Sequence, residues 1–394
     1  MSATLNLGTD GQWATKENSL LSYNDENGNY KPLPFDFTRA SSATVVNKAG
    51  LIETVQSGTP RIDFLGNTNG ALLLEPQRTN LVVNSANGEY GNAPASEINT
   101  IAPDGSNNGL ILIPDSLSDR YEYIISGGTY ATNTQLTYSW YRKRITTPTG
   151  ASRVGDLDPA GVNVSFIGST TQTQSVVNGY DRFEAVFSII DGSLESKLRM
   201  YFGNVIGVGN SSVAYWGHQL ELGSFATSYI PTQGSTVTRN LETCTGAGND
   251  QVINSTEGVL YAEISALADD GSYRLLGFSD GTSANRIYIG YSSVNNITCS
   301  VQVSSSIVYN FNLTADITIN SKLALKYKEN DFALWVNGVE ADSQSSGNTF
   351  PVGTLTQMQF ASAVLSSPFY GKTKDVRVYN TALTDTELQA LTTI

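Results

Sequence analysis

The chain has 394 residues, with 23 Lys+Arg against 36 Asp+Glu, a net charge of −13, and only 15% charged residues. That length gives room for two or three domains. The acidic balance disfavours nucleic acid and anionic membrane surfaces, which reward cationic faces. No apolar run approaches the ~20 residues that span a bilayer, so neither nucleic-acid binding nor membrane insertion is expected. The 36 Gly and 20 Tyr suit strands and turns better than helices.

Residues 1–83 read as an irregular N-terminal arm serving attachment or assembly. The opening residues lack the basic start and apolar core of a secretory signal. Asn24-Asp-Glu-Asn-Gly-Asn29 is loop chemistry. Lys31-Pro-Leu-Pro34 forces extended backbone. The apolar runs Thr44-Val-Val46 and Ala71-Leu-Leu-Leu74 are too short to build a core, so the arm is expected to pack on the next domain or on another subunit.

Residues 84–240 carry strand signals at short spacing. Leu136-Thr-Tyr138-Ser-Trp140 alternates with period two, which reads Trp140 as core. Asn163-Val-Ser-Phe166 and Arg182-Phe-Glu-Ala-Val-Phe187 are further strands. Gly127-Gly128, Asn178-Gly179 and Asp191-Gly192 are turn dipeptides. Arg142-Lys-Arg144 reads as a solvated strand end. His218, the single histidine, shares a face with Trp216 and Leu220 by strict alternation, and its ring reads as hydrogen-bonded at a strand edge.

Residues 241–394 repeat this pattern. Lys322-Leu-Ala-Leu-Lys-Tyr-Lys328 and Phe332-Ala-Leu-Trp-Val336 flank the turn Glu329-Asn-Asp331 as a hairpin, and Asn337-Gly338 turns the chain again. Leu334 reads as inward-facing. Thr384-Asp-Thr-Glu387 is a capping box, with Leu388 and Leu391 on the apolar side of one short helix. Short antiparallel strands with almost no helix predict an all-β chain: two tandem antiparallel β-sandwich or jelly-roll domains after the arm.

Three motifs carry a resemblance. Phe35-Asp-Phe-Thr-Arg-Ala-Ser-Ser-Ala-Thr44, continued by Gly50-Leu-Ile-Glu53, Pro60-Arg-Ile-Asp63 and Leu72-Leu-Leu-Glu-Pro-Gln-Arg-Thr-Asn80, resembles a segment of bacteriophage tail and structural proteins. Trp216-Gly-His-Gln-Leu-Glu-Leu-Gly-Ser-Phe-Ala-Thr-Ser-Tyr-Ile-Pro-Thr232 with Val237-Thr-Arg239 resembles the close of a carbohydrate-binding-module-like jelly roll, here 84–240. Gly371–Leu391, together with Phe332-Ala-Leu-Trp-Val-Asn-Gly338, resembles concanavalin-A-like (laminin-G-like) sandwiches, here 241–394. The resemblance implies a virion-surface protein assembled in the host cytoplasm, a fibre or decoration component that adheres to cell-surface or environmental glycans. Its partners would be other virion proteins and sister chains, a trimer being the expectation from fibre architecture. A purely structural capsid or tail component, and a glycan depolymerase, are the alternatives.

Catalysis finds little support in the residues. Glycosidases need two flanking carboxylates, and neither Glu-x-Asp-x-x-Glu nor Glu-x-Asp-x-Glu occurs; Glu340-Ala-Asp342 lacks a third acid. No Gly-x-Ser-x-Gly elbow accompanies His218. No catalytic and no metal-binding residue is therefore assigned, and no enzyme is expected. Aromatic rings offer flat platforms for sugar C–H faces. Tyr288, Trp335 and Tyr379 are each out of phase with their apolar neighbours, so they are candidates for an outer carbohydrate-binding face, or else pack under a loop or another domain. Asp269-Asp-Gly271 and Asp280-Gly281 supply oxygens either to a structural calcium or to turns. Cys244 and Cys299 read as two core thiols or one bridge.

Overall fold

The computed structural model describes residues 2–26, 28, 34–86, 96–113, 120–125, 129–145, 157–158, 163–196, 198–202 and 213–394. Most of Lys31–Pro34 and all of Gly127-Gly128 lie outside them. The described structure is built from antiparallel strands with one α-helix, Asp385–Thr392, as the period-two patterning predicts. Two units divide the chain: residues 1–42, 55–76 and 240–394 form one, and residues 43–54 and 77–239 the other.

The first unit is a sandwich. One sheet runs in the order Val339–Gln344, Phe332–Val336, Ser321–Lys328, Glu257–Ala266, Gly371–Tyr379, Ala71–Leu74, Arg61–Asp63, with Leu5–Leu7 also on Gly371–Tyr379. The other runs Ser306–Thr314, Asn296–Val303, Arg286–Ser293, Arg274–Ser279, Gln357–Gln359. Alternate side chains meet between them in one core: Leu260, Leu323, Leu325, Leu334, Val376 and Val378 from the first sheet, Phe278, Ile287, Ile289, Cys299 and Val301 from the second. The predicted hairpin pairs Leu323 with Val336 and Leu325 with Leu334. Asn337 and Gly338 both take positive φ, 51° and 85°, the conformation of a tight hairpin turn.

The opening residues are strands of this unit rather than an irregular arm. Leu5 pairs with Val378, and Leu72 with Thr373. Phe37 pairs with Cys244 in a further small sheet. Each run alternates for only three or four residues, too few to bury a core alone. They are stable because the sandwich supplies the other wall, and Leu5, Leu7, Phe35, Phe37, Leu72 and Leu74 all join its core. Beneath them lies a buried ion network. Glu242 takes Arg39 Nη1 at 2.8 Å and Arg61 Nε at 2.8 Å, while Arg61 Nη2 reaches Glu75 at 2.9 Å. Burial opposes the Arg61 charge, but Glu242 and Glu75 outweigh it and raise its pKa.

The eight-stranded sheet is covered on its other face too. Thr384 caps the helix through the predicted box, its hydroxyl taking the Glu387 amide. Leu383 and Leu388 then pack over Val259, Tyr261, Ala333, Trp335 and Tyr379.

The second unit has a six-stranded sheet in the order Ser96–Thr100, Gly109–Ile113, Val213–Leu222, Gln135–Arg144, Asp181–Ile189, Val164–Ser175, and a three-stranded sheet, Arg120–Ile125, Leu198–Phe202, Leu157–Asp158. Leu136, Tyr138, Trp140, Phe187 and Ile189 are fully buried in its core. Asn80, at the end of the first motif, ties two segments together: its amide donates to the His218 and Ile230 carbonyls, and its oxygen accepts from Val82 and Leu220. His218 sits on an interior strand, not at an edge. Its Nδ1 meets the Tyr138 hydroxyl, and burial pushes its pKa down to about 3.

Alternation fails at Gly217. This residue takes φ 68°, and the register against Gln135–Arg144 shifts there. Leu220 lies opposite Tyr138, whereas Trp216 lies opposite Tyr141. Tyr138 and Tyr141 are three residues apart and point to opposite faces, so Trp216 leaves the face that His218 and Leu220 share.

Candidate functional site

The structure separates the three aromatic candidates. Trp335 and Tyr379 point away from the main core, as their phase predicts, but the helix Asp385–Thr392 covers them, and they are 7% and 3% exposed. They are core for that helix and offer no ring to a ligand. The capping box signals the helix in the sequence; where the helix docks depends on long-range packing.

Tyr288 is different. It is half-buried on the outer face of the five-stranded sheet, opposite Ile287 and Ile289. Register sets Gln359, Gly277, Tyr288, Ser300 and Asn310 in one row across that face. Gly277 is buried, and Ala361, Ser362 and Ala363 close in on that flank of the ring. The Arg286 guanidinium lies 5.4 Å from the ring centroid, held by Nε donating to Gln302 Oε1 at 3.0 Å. Ser300 and Gln359 are buried in this row, so the face offers the Tyr288 ring, the fixed Arg286 cation and the exposed Asn310 amide.

A strained loop bounds this face. Ala361, Ser362 and Ala363 border a small hollow shared with Tyr288, Arg286 and Gln359. Ser362 N donates to the Ser366 carbonyl at 2.8 Å, and the Ser362 and Ser366 hydroxyls meet at 2.6 Å. The Gln359 amide donates to the Ser362 carbonyl, anchoring the loop to the sheet. Leu365 and Ser367 take φ 57° and 53°. Left-handed backbone in a non-glycine residue costs of order 1 kcal/mol and is held only by its surroundings. Val364 and Leu365 at the tip are 56% and 58% exposed. No residue-type signal in 361–367 announces this strain; only the Tyr288 phase was readable.

The acidic turns are occupied by protein groups. Asp270 pairs with Arg274 at 2.7 Å, and Asp269 accepts the Asn295 amide. Asp280 accepts the Thr282 amide and hydroxyl and the Asn285 amide, and these bonds outweigh its desolvation and lower its pKa. Among the described residues no three His, Cys, Asp or Glu side chains are grouped to hold a metal, and these three aspartates are engaged as turn and ion-pair residues. Cys244 and Cys299 are free and buried, and burial raises both thiol pKa values, Cys299 to about 12.

A second cleft of the same unit, about 380 Å³, lies beside Tyr261, Glu263, Lys374, Asp375 and Arg377. Four of its charged side chains pair with one another. Arg377 binds Asp375 at 2.6 Å, Lys374 lies 3.8 Å from Glu263, and the Thr9 hydroxyl donates to Asp375 at 2.8 Å. Desolvation raises the Asp375 pKa against the opposing pull of Arg377.

Residues 250–389 match the family model of the concanavalin A-like lectin/glucanases superfamily, laminin-G type. No curated protein matches the chain. Among solved structures, the CBM40 of the Ruminococcus gnavus IT-sialidase is 17% identical, covering 38% of this chain and 93% of that one at a TM-score of 0.32. The same module bound to α2,3-sialyllactose is 17% identical, covering 38% and 94%, TM-score 0.33. Bound to α2,6-sialyllactose it is 16% identical, covering 38% and 93%, TM-score 0.32. At those scores the likeness bears on neither the fold nor the ligand of this chain.

Proposed function

We propose that the chain is a non-enzymatic surface protein of a bacteriophage particle, and that the Tyr288 face of its concanavalin-A-like sandwich contacts glycans on the host or in the medium. The observation that carries the glycan reading is the half-buried Tyr288 ring, with Arg286 fixed beside it and Asn310 exposed in the same row. A ring stacks on sugar C–H faces, while the guanidinium and the Asn310 amide take hydroxyls or a sugar carboxylate. One such shallow face binds weakly, and several copies on one particle multiply it. The phage reading rests on the motif from Phe35 to Asn80. The non-enzymatic reading rests on the missing paired-acid pattern and on the engagement of Asp270 and Asp280 within the protein.

A glycan array probed with the intact chain, and with Tyr288→Ala and Arg286→Ala, tests the adhesion. Signal on at least one glycan, cut about tenfold or more by either change with unaltered circular dichroism, supports it. Immunogold labelling of purified particles tests the virion assignment, and unlabelled particles overturn it. A purely structural virion role is the second reading. The burial of Arg39, Arg61 and Asn80 favours it, because these motif residues serve folding; blank arrays with labelled particles would select it.

A further inference from the structure

The five-stranded sheet of the first unit ends on Ser306–Thr314, a strand of 9 residues that pairs with Asn296–Val303 on one side. A strand edge is a row of amides and carbonyls ready for another strand, and proteins blunt it by shortness, charge, proline or cover. The other edges of this sandwich follow that rule. Gln357–Gln359 and Arg61–Asp63 have 3 residues each. Val339–Gln344 carries Glu340 and Asp342. Ser306–Thr314 is longer than any of them and contains neither a charged residue nor a proline.

Its open groups follow from the register. The Ala315 amide donates to the Asn295 carbonyl at 2.9 Å. Alternation then turns the backbone of Tyr309, Phe311 and Leu313 toward Asn296–Val303, and that of Val308, Asn310, Asn312 and Thr314 away from it. The Gln344 side-chain amide caps the Val308 carbonyl at 2.9 Å and closes that end. Among the described residues nothing bonds the backbone of Asn310, Asn312 or Thr314 on the open side. Phe311 and Leu313 pack on the core but are only half-buried, while Asn310, Asn312 and Thr314 are exposed.

We propose that this edge is the interface of a two-fold dimer, in which Ser306–Thr314 pairs antiparallel with a second copy of itself about Asn312. In that register Asn312 faces the partner's Asn312, Asn310 faces the partner's Thr314, and Phe311 faces the partner's Leu313. Every open amide and carbonyl then finds a partner, in about six hydrogen bonds. A register centred on Asn310 would set the partner's Asn312 against Val308, whose carbonyl Gln344 already occupies. The Phe311–Leu313 contacts cover the open end of both cores, and neither strand brings a charge to the other although the chain carries −13. Such an interface uses the same patch twice and closes at two copies. The two five-stranded sheets become one of ten strands. Tyr288 lies on the third strand from this edge, so two Tyr288 rings share one face about 25–30 Å apart by strand spacing and rise. That spacing adds reach to the glycan reading, but the dimer rests on none of it.

One strand pair buries less than the roughly 1,200 Å² of a stable interface, so the association is weak and concentration-dependent. Sedimentation velocity of the intact chain from about 1 to about 500 µM reads it, and a reversible monomer–dimer equilibrium within that range is the expected result. Asn312→Lys and Asn312→Glu each set like charges face to face and should weaken the dimer about tenfold or more. Circular dichroism should stay unchanged, because Asn312 is exposed and its side chain meets only the distant Ser292 hydroxyl, at 3.4 Å. An equimolar mixture of the two variants should restore the dimer, lysine then facing glutamate. A monomer at every concentration overturns the proposal and leaves the edge to an extended segment of another protein. A trimer, a dimer that either substitution leaves intact, or two variants that fail to recover each other overturns it as well. None of these outcomes bears on Tyr288, whose glycan binding the array reads separately.

Discussion

His218 is the single histidine of the chain, so its imidazole signals need no assignment. Burial holds its folded pKa at about 3 against an ordinary 6.5. Between those values the unfolded chain carries the extra proton. Stability therefore falls as pH drops below about 6.5, with a slope approaching 1.4 kcal/mol per pH unit from this group, and is insensitive to it above. The imidazole resonances of the folded chain should not titrate between pH 8 and about 4; a midpoint near 6.5 would mean the ring reaches water. Trp335 gives a second test. Its Nε1 is buried with no partner among the described residues. Trp335→Phe removes that unsatisfied donor and should cost less than about 1 kcal/mol, whereas Trp335→Ala opens a void beneath the helix and should cost about 3–5 kcal/mol. Denaturant titration of both variants reads the difference, and equal costs would show the indole is not packed there.

The helix Asp385–Thr392 is only two turns long, so it has little stability of its own. It persists because Thr384 and Glu387 cap each other and because Leu388 is fully buried. Thr384→Ala should cost about 1 kcal/mol and raise hydrogen exchange selectively in residues 385–392; exchange spread evenly over the sandwich would mean the helix does not open by itself. Its cap and apolar side were legible in four letters, Thr-x-x-Glu, because capping is local. So were the strand faces of Leu334 and Tyr288, because alternation is local. What covers an outward face is not local: Trp335 and Tyr288 show the same phase, and only the docked helix makes one core and leaves the other open. The same limit applies at Gly217. One left-handed glycine reversed the face of Trp216, and a glycine within a strand pattern signals a possible bulge without giving its register.

The first unit is assembled from three separated stretches: the five-stranded sheet lies wholly within 240–394, whereas the eight-stranded sheet draws strands from all three. Leu5–Leu7 and Ala71–Leu74 both hydrogen-bond to Gly371–Tyr379, and Phe35–Thr38 pairs with Thr243–Thr245. Short alternating runs such as Leu5-x-Leu7 looked like parts of an arm because their partners lie some hundreds of residues away, and period two says nothing about partner. Arg39, Arg61, Glu75 and Glu242 join the same stretches through buried charges. Breaking such a network strands its remaining charges, so Glu242→Ala should cost about 3–5 kcal/mol. The two buried thiols make assembly directly readable. Cys244 lies opposite Phe37, and Cys299 lies in the sandwich core; both are shielded and hold their protons in the folded chain. In the full chain neither should react with a disulfide reagent at pH 8 without denaturant. Residues 241–394 expressed alone lack Phe35, Phe37, Leu72 and Leu74, so Cys244 in that fragment should react at once and the fragment should melt well below the full chain. A fragment that keeps Cys244 unreactive and the native melting temperature would show that the last 154 residues fold without the opening strands, and that those strands are an attachment after all.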